Sequence, residues 1–144
     1  GLAEAFPLGT ARSPIVDLEL GDLDGDGDLD LLLAEPERFH LWLQSSGGTL
    51  VPARSSAPQS FAIEQLAIGD LDGDGVRDIA VRGRREVRAF LHGSARFPRP
   101  DFAFDTRFAS GISGANGEPP PMTDFALADL DRDGVSDLLL SLEP

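Results

Sequence analysis

The sequence predicts an all-β fold built from a repeated, antiparallel unit of four strands. Short apolar runs such as Ile15 to Leu20 and Leu29 to Leu33 are bounded by turn residues, as strands are. The same order of runs and turns recurs after 48 residues. An acidic loop joins the first two runs of each unit. These three observations indicate consecutive β-sheets, each opening with a loop of the same kind.

The acidic loop occurs three times in the pattern D-x-D-x-D-G-x-x-D, at residues 22–30, 70–78 and 129–137. We call these loops L1, L2 and L3 and number their positions one to nine. Carboxylates at alternating positions repel one another, and a hard cation with six to eight oxygen ligands offsets that repulsion. The glycine at position six supplies the positive φ that a loop around an ion needs. The pattern therefore predicts up to three bound calcium ions.

The predicted calcium ligands are the side chains at positions one, three, five and nine and the main-chain carbonyl at position seven. Magnesium is disfavoured because it prefers a smaller octahedral site that retains water. An EF-hand is disfavoured because its position twelve needs a glutamate, whereas Leu33, Val81 and Leu140 stand there. An acidic surface turn without metal remains the alternative. The predicted metal-site residues are Asp22, Asp24, Asp26, Asp28, Asp30, Asp70, Asp72, Asp74, Val76, Asp78, Asp129, Asp131, Asp133, Val135 and Asp137.

The composition describes a domain-sized, acidic chain without thiols. Its 144 residues carry a formal net charge of −13, which argues against nucleic acid and anionic membranes as partners. No apolar run approaches the length of a membrane span. The absence of cysteine excludes a disulfide framework, so calcium is expected to take the stabilising role. Because millimolar calcium outside the cell suits such loops, we expect an extracellular, cell-surface or periplasmic location.

The repeat extends well beyond the acidic loop. Each unit has strands A and B joined by the loop, then strand C, then a glycine-rich turn into strand D near Leu50-Val51. A four-stranded unit of this length is typical of a β-propeller blade rather than a sandwich. The apolar pairs that align at the offset of 48 residues include Leu18 with Leu66, Leu31 with Ile79, Phe39 with Val87 and Trp42 with Phe90.

These residues resemble the FG-GAP or VCBS repeat, the calcium-binding blade of the integrin α-subunit propeller and of many bacterial surface proteins. The resemblance rests on the acidic loops and on Phe39 to Leu43 followed by Gly48-Thr49-Leu50, and it covers most of the chain. It implies a propeller with calcium loops between strands A and B. It also implies ligand binding at the face opposite the metals.

The predicted organisation is a partial propeller of about three blades. Residues 1–14 are expected to hold strand D of a preceding blade and a crossover, and 15–60 one blade. Residues 61–121 would form a second blade with an inserted loop, and 122–144 the start of a third. Because closed propellers need about four to eight blades, we expect either a piece of a longer propeller or a subunit that pairs with another copy or a partner chain.

Two segments are predicted to face a partner. The interval between L2 and L3 is 11 residues longer than that between L1 and L2, and we expect an extended loop without strands within Arg99 to Pro121. Strand parity places this loop and the basic turn at 82–85 at the end opposite the metals. A solvated basic face and a loop that packs its own phenylalanines are the alternatives. The predicted partner-binding residues are Arg82, Arg84, Arg85, Phe102, Phe104 and Phe108.

The sequence offers no catalytic residues. His40 and His92 do not align between units, and the carboxylate clusters are assigned to calcium, so no nucleophile with a base is evident. We therefore predict a non-enzymatic, calcium-stabilised scaffold for protein interaction or adhesion. Its partner would be a protein, possibly a glycan, or a neighbouring subunit. The alternatives are a non-catalytic propeller part of a polysaccharide-processing enzyme and a structural subunit of a larger surface assembly.

Overall fold

A computed structural model describes residues 13–56, 58–92, 102–105 and 120–143 of the chain, and all regular structure within them is β. Residues Phe102, Phe104 and Asp105 are described as backbone only. The strands are β1 (Asp17–Gly21), β2 (Asp30–Glu35), β3 (Arg38–Gln44), β4 (Leu50–Ser55), β5 (Gln65–Gly69), β6 (Asp78–Arg82), β7 (Glu86–Phe90), β8 (Phe102–Asp105), β9 (Met122–Ala128) and β10 (Asp137–Leu142).

The strands form three antiparallel sheets in which neighbours along the chain are neighbours in space. Sheet 1 has the order β1-β2-β3-β4 and sheet 2 the order β5-β6-β7-β8, while β9 and β10 form sheet 3. The acidic loops join the first two strands of each sheet, so position nine opens the second strand. Asp30, for example, lies opposite Gly21 in the register of β1 and β2. The predicted all-β architecture of four-stranded units is confirmed.

The sheets stack face to face, with β1 beside β5 and β5 beside β9. One apolar cluster fills the space between sheets 1 and 2, and Phe39 and Phe90 meet there edge to face at a centroid distance of 4.8 Å. A second cluster, which includes Met122 and Phe125, joins sheets 2 and 3. Adjacent first strands and successive face-to-face sheets are the arrangement of consecutive propeller blades, here in an open series.

Strand β6 is buried on both of its faces. Ile79 and Val81 point into the cluster shared with sheet 1, whereas Ala80 belongs to the cluster shared with sheet 3. All five residues of β6 are buried. Because neither face meets solvent, the sequence of β6 has a run of small and branched apolar residues. It lacks the alternation of apolar and polar residues that is typical of a strand with one solvent-exposed face.

Strand β4 forms the outer edge of sheet 1, and all but its first residue are exposed. It extends from the predicted Leu50-Val51 to Ser55. A bulge between Leu41 and Trp42 interrupts its pairing with β3 and brings Pro52 opposite Trp42. An edge strand tolerates Pro52 because its missing N–H removes no bond from a central ladder.

The fourth strand of sheet 2 lies later in the sequence than predicted. We expected strand D before Phe97 and a strand-free loop from Arg99 to Pro121, but β8 pairs with β7 through Phe102 to Asp105. That prediction is wrong at 102–105, because the alternating phenylalanines of a short strand are masked by prolines upstream and glycines downstream. The predicted strand within 1–14 and most of the inserted loop, including Phe108, lie outside the described residues.

Candidate metal centre

Each acidic loop brings three carboxylates together. Positions one, three and nine offer oxygen atoms that all lie within 4.8 Å of one another in each loop. Two oxygens bound to one calcium ion at about 2.3–2.6 Å lie at most about 5 Å apart, so these groups fit a single ion. Hard carboxylate oxygens are also the ligands that calcium prefers. The three groups are Asp22, Asp24 and Asp30; Asp70, Asp72 and Asp78; and Asp129, Asp131 and Asp137.

Position one shapes the loop from inside. In L2, Asp70 accepts hydrogen bonds from the N–H groups of Gly73 at 2.7 Å and Gly75 at 2.9 Å, and the equivalent bonds of Asp22 in L1 are 2.7 and 3.0 Å long. These bonds draw the glycine N–H groups around the carboxylate. They hold the loop curled around the point where the three carboxylates converge.

The side chain at position five accepts a hydrogen bond within its own loop. Asp74 accepts a hydrogen bond from the N–H of Val76 at 2.8 Å, and Asp26 and Asp133 make the same turn with position seven. These side chains lie outside the three converging groups. Ligation by position five, and by the carbonyls of Asp28, Val76 and Val135, therefore remains a prediction.

Position nine links the loop to the end of the third strand in L1 and to the residues just after the third strand in L2. Asp78 is 1% exposed and accepts hydrogen bonds from the N–H groups of Leu71 and His92, both at 2.6 Å. Asp30 accepts in the same way from Leu23 and from Gln44 at the end of β3. Sequence reasoning treated this position as a ligand alone. It missed the bond to the third strand, because that partner is a main-chain N–H with no residue signature.

Electrostatics favour a cation at these loops. Burial raises the pKa of Asp78, and the charges of Asp72 and Asp74 raise it further, against the lowering effect of the two N–H groups. Desolvation and neighbouring carboxylates likewise raise the pKa of Asp24. A raised pKa means that the ionised carboxylate is disfavoured in the metal-free protein. A divalent cation among the three oxygens would reverse that preference.

Part of the chain that carries this geometry is similar to a known protein family. A family model described as an FG-GAP-like repeat matches the chain from position one of L1 to position twelve of L2. Residues 22–81 are thus similar to an FG-GAP-like repeat, as the sequence analysis predicted. No curated protein matches the chain. The matched residues include L1, L2 and the strands β2 to β5, but not β1 or β7, which also contribute to the contact between sheets 1 and 2.

The loop outside the FG-GAP-like repeat, L3, is built differently at two positions. All three of its converging carboxylates are exposed. Asp137 accepts a hydrogen bond from the N–H of Leu130 at 3.0 Å, and the described residues supply no second donor. Position four is Arg132 with φ 65°, where the repeat has Gly25 and Gly73 with φ 81° and 79°. The sequence analysis did not predict a positive φ at position four, although glycine at this position in both L1 and L2 indicated it.

Replacement of Arg132 by glycine is expected to stabilise the protein by about 0.5–1 kcal/mol. A side chain in the left-handed region costs about 1–2 kcal/mol, and the extra chain entropy of glycine when unfolded offsets part of the gain. The readout is the urea midpoint of unfolding at unchanged slope. Gly73→Ala is the matched control and should lower the midpoint, because its φ is 79° and its new Cβ would lie 3.2 Å from Val135. A lower midpoint for Arg132→Gly would contradict this account.

The predicted partner residues separate into different environments. Arg82 is 6% exposed, and its guanidinium donates to Glu64 at 2.8 Å, Gln65 at 3.0 Å and the carbonyl of Met122 at 3.0 Å. These bonds give Arg82 a place in the packing of sheet 2 against sheet 3 rather than on an open surface.

Arg84 is exposed in the turn between β6 and β7, at the end of the sheet opposite L2, and Arg85 is half-buried beside it. Phe102 and Phe104 belong to β8 instead of a loop. The structure therefore brings Arg84 and Arg85 to the predicted end of the molecule, while Phe102 and Phe104 lie in the edge strand β8 and Phe108 is outside the described residues.

Proposed function

We propose that the protein is a calcium-stabilised, extracellular or cell-surface β-propeller module that acts as a scaffold for protein interaction or adhesion. The convergence of three carboxylates in each acidic loop carries this proposal. The FG-GAP-like repeat supports a propeller-like module, and repeats of this kind are typically non-catalytic and extracellular. Among the residues described, no helix is long and apolar enough to cross a membrane.

The three loops should differ in affinity. In L1 and L2 the position-nine carboxylates, Asp30 and Asp78, are buried and held by two main-chain N–H groups each. In L3 the corresponding Asp137 is exposed and held by one. A ligand that is already fixed loses less freedom on binding, so L1 and L2 should bind calcium more tightly than L3.

Calorimetric titration with calcium tests the proposed function. We expect two tighter sites and a weaker third, with Asp72→Ala removing one tight site and Asp131→Ala the weak one. Glu37→Ala is the charge-matched control, since Glu37 is exposed in the turn between β2 and β3, at the opposite end of sheet 1. A titration that shows no heat of calcium binding would argue against calcium as the resident ion. So would one in which magnesium substitutes fully for calcium.

The proposed contact surface is the end of the sheets opposite the calcium loops. Arg84 is exposed there, and the turn that carries it is fixed by a hydrogen bond from the N–H of Met122 to the Arg84 carbonyl at 2.7 Å. The buried side chain of Arg82, two residues earlier, anchors the start of the turn through Glu64, Gln65 and Met122. A basic turn held from both sides presents its charge without a large ordering cost, which suits recognition of an acidic surface.

An enzymatic role has less support. A serine and a histidine do meet on sheet 1, where Ser55 Oγ lies 2.8 Å from His40 Nδ1. The other ring nitrogen of His40 is 3.8 Å from Glu35, beyond hydrogen-bond reach, so the imidazole is not oriented as a catalytic base by a carboxylate. The contact joins residues opposite each other in the β3 and β4 register, and cross-strand pairing accounts for it.

A further inference from the structure

Consecutive sheets meet through the same positions at both junctions of this chain. We number the residue before each loop as position zero and continue backwards along the first strand. At the first junction, the position-zero Gly21 of sheet 1 is approached closely by Ile68, at position minus one of sheet 2. At the second, Gly69 is approached by Leu127, whose Cβ lies 3.1 Å from where a Cβ of Gly69 would stand. The chain therefore contains one junction geometry twice.

The acidic loops take part in the same junctions. The position-seven side chain of Val76 lies over position four of the preceding loop, 3.4 Å from where a Cβ of Gly25 would stand. Val135 lies in the same way over Gly73, at 3.2 Å. Position seven of one loop thus packs on position four of the loop before it, and glycine leaves room for the contact.

Among the described residues, the outer faces of sheets 1 and 3 carry opposite charges at these positions. Position seven of L1 is Asp28 and position four of L3 is Arg132, where the two internal junctions pair valine with glycine. Asp28 is partly exposed and Arg132 is exposed. Among the residues that the structure describes, neither side chain has an ion-pair partner. A third junction of the same geometry, formed between L3 and L1, would place an arginine against an aspartate.

Apolar residues accompany these charges on the first strand of sheet 1. Leu18 and Leu20 are 47% and 53% exposed. Their equivalents in sheet 2 face sheet 1: Leu66 is 1% exposed and Ile68 packs on the first cluster. Sheet 1 therefore presents two of the residues that sheet 2 uses to pack on the sheet before it, whereas Leu31 and Leu33, the equivalents of Ile79 and Val81, are buried.

The opposite face of sheet 3 completes the pattern. Leu130 and Leu139 are 63% and 38% exposed, whereas the equivalent Leu23 and Leu32 of sheet 1 are buried against sheet 2. Asp124 of sheet 3 stands at the position of Asp17, but its carboxylate accepts a 2.7 Å hydrogen bond from Gln65 of sheet 2, so the match rests on the two leucines. Sheet 3 presents what sheet 1 uses to receive the sheet that follows.

We propose that sheet 3 of one copy stacks on sheet 1 of a second copy, with Arg132 of the first against Asp28 of the second. The occupant is a second copy because each open face matches the other in charge and in the apolar residues that the internal junctions use. The contact is head-to-tail, so a ring or an open series results. The proposal does not depend on calcium as the resident ion.

Cysteine cross-linking tests the geometry directly, because the chain has no cysteine of its own. Asp28→Cys and Arg132→Cys are prepared separately, mixed and oxidised gently. The junction places these positions within disulfide reach, so a cross-linked dimer should form in the mixture and not from either variant alone. Arg84→Cys mixed with Asp28→Cys is the control, since Arg84 is exposed at the opposite end. No dimer in the first mixture, or equal yield in the control, would overturn the proposal.

Charge reversal tests the same contact without a covalent cross-link. Sedimentation of the wild type over a range of concentrations up to submillimolar should show reversible dimers that weaken as salt increases. Asp28→Arg and Arg132→Glu should each raise the dissociation constant at least about tenfold, and the double variant should restore it. Thermal melts verify that each variant folds. A strictly monomeric wild type, or association unaffected by either reversal, would refute the head-to-tail contact. The cross-linking and sedimentation experiments are repeated with chelator, so that association is measured separately from calcium binding.

Discussion

Removal of calcium is expected to lower the melting midpoint of the protein by about 15 °C. A site at a hundredfold excess of ligand over its dissociation constant adds about 2.7 kcal/mol, so the two tighter loops together add about 5 kcal/mol. At about 3 °C per kcal/mol for a chain of this size, the shift follows. Each filled loop also neutralises repulsion among three converging carboxylates, which main-chain N–H groups offset only in part. The measurement is a thermal melt after chelation, with calcium titrated back.

Two controls decide whether the shift belongs to the loops. Magnesium at equal concentration should recover little of the midpoint, because it prefers a smaller octahedral site. Glu37→Ala should respond to calcium as the wild type does, whereas a variant that carries both Asp24→Ala and Asp72→Ala should lose most of the response. An unchanged midpoint on chelation would mean that the acidic loops do not support the fold through metal.

In chelator, Asp78→Ala is expected to lower the free energy of unfolding by about 2–3 kcal/mol. The substitution leaves the N–H groups of Leu71 and His92 without their acceptor, and each lost bond to a charged group costs about 1.5–3 kcal/mol. Relief of the repulsion from Asp72 and Asp74 returns part of that cost. Chelator removes the metal term, so urea unfolding of this variant measures the carboxylate as a structural link between L2 and β7.

Asp137→Ala is the matched control, because it removes the same position from L3. Asp137 is exposed and accepts from Leu130 alone among the described donors, so the expected loss is below about 1 kcal/mol. Asp78→Asn, which keeps one carbonyl acceptor, should fall between the two. Equal losses for Asp78→Ala and Asp137→Ala would show that position nine acts only through the metal.

The sequence predicted the architecture correctly wherever a local residue pattern recurs in each unit. The carboxylates of L1 and L2, their position-six glycines and the flanking apolar runs located the loops and the strands β1 to β3 and β5 to β7. This worked because a wrapped loop and a buried strand each impose a residue pattern on their own segment. The same pattern in L3 located β9 and β10.

Other features depend on neighbours that the sequence pattern does not name. Strand β8 is defined by its pairing with β7 across a long connection, and its short length left little periodicity to detect. Arg82 looked like part of a basic surface turn, but its partners come from β5, the segment before it and the start of β9. The contact of Val76 with the loop around Gly25 likewise exists only between sheets. Each is a tertiary relation without a local signature.

The burial of β6 on both faces has a consequence for how the molecule comes apart. Because each sheet packs mainly on its immediate neighbours, stability is shared along the series, and sheet 2 is the member with a neighbour on each side. The end sheets can detach while one junction survives, but the loss of sheet 2 exposes both clusters at once. Among the described sheets, unfolding should therefore begin at sheets 1 and 3. A defect at Val81 or Ala80 weakens a junction of the central sheet 2, whereas an equal defect in β10 weakens sheet 3 alone.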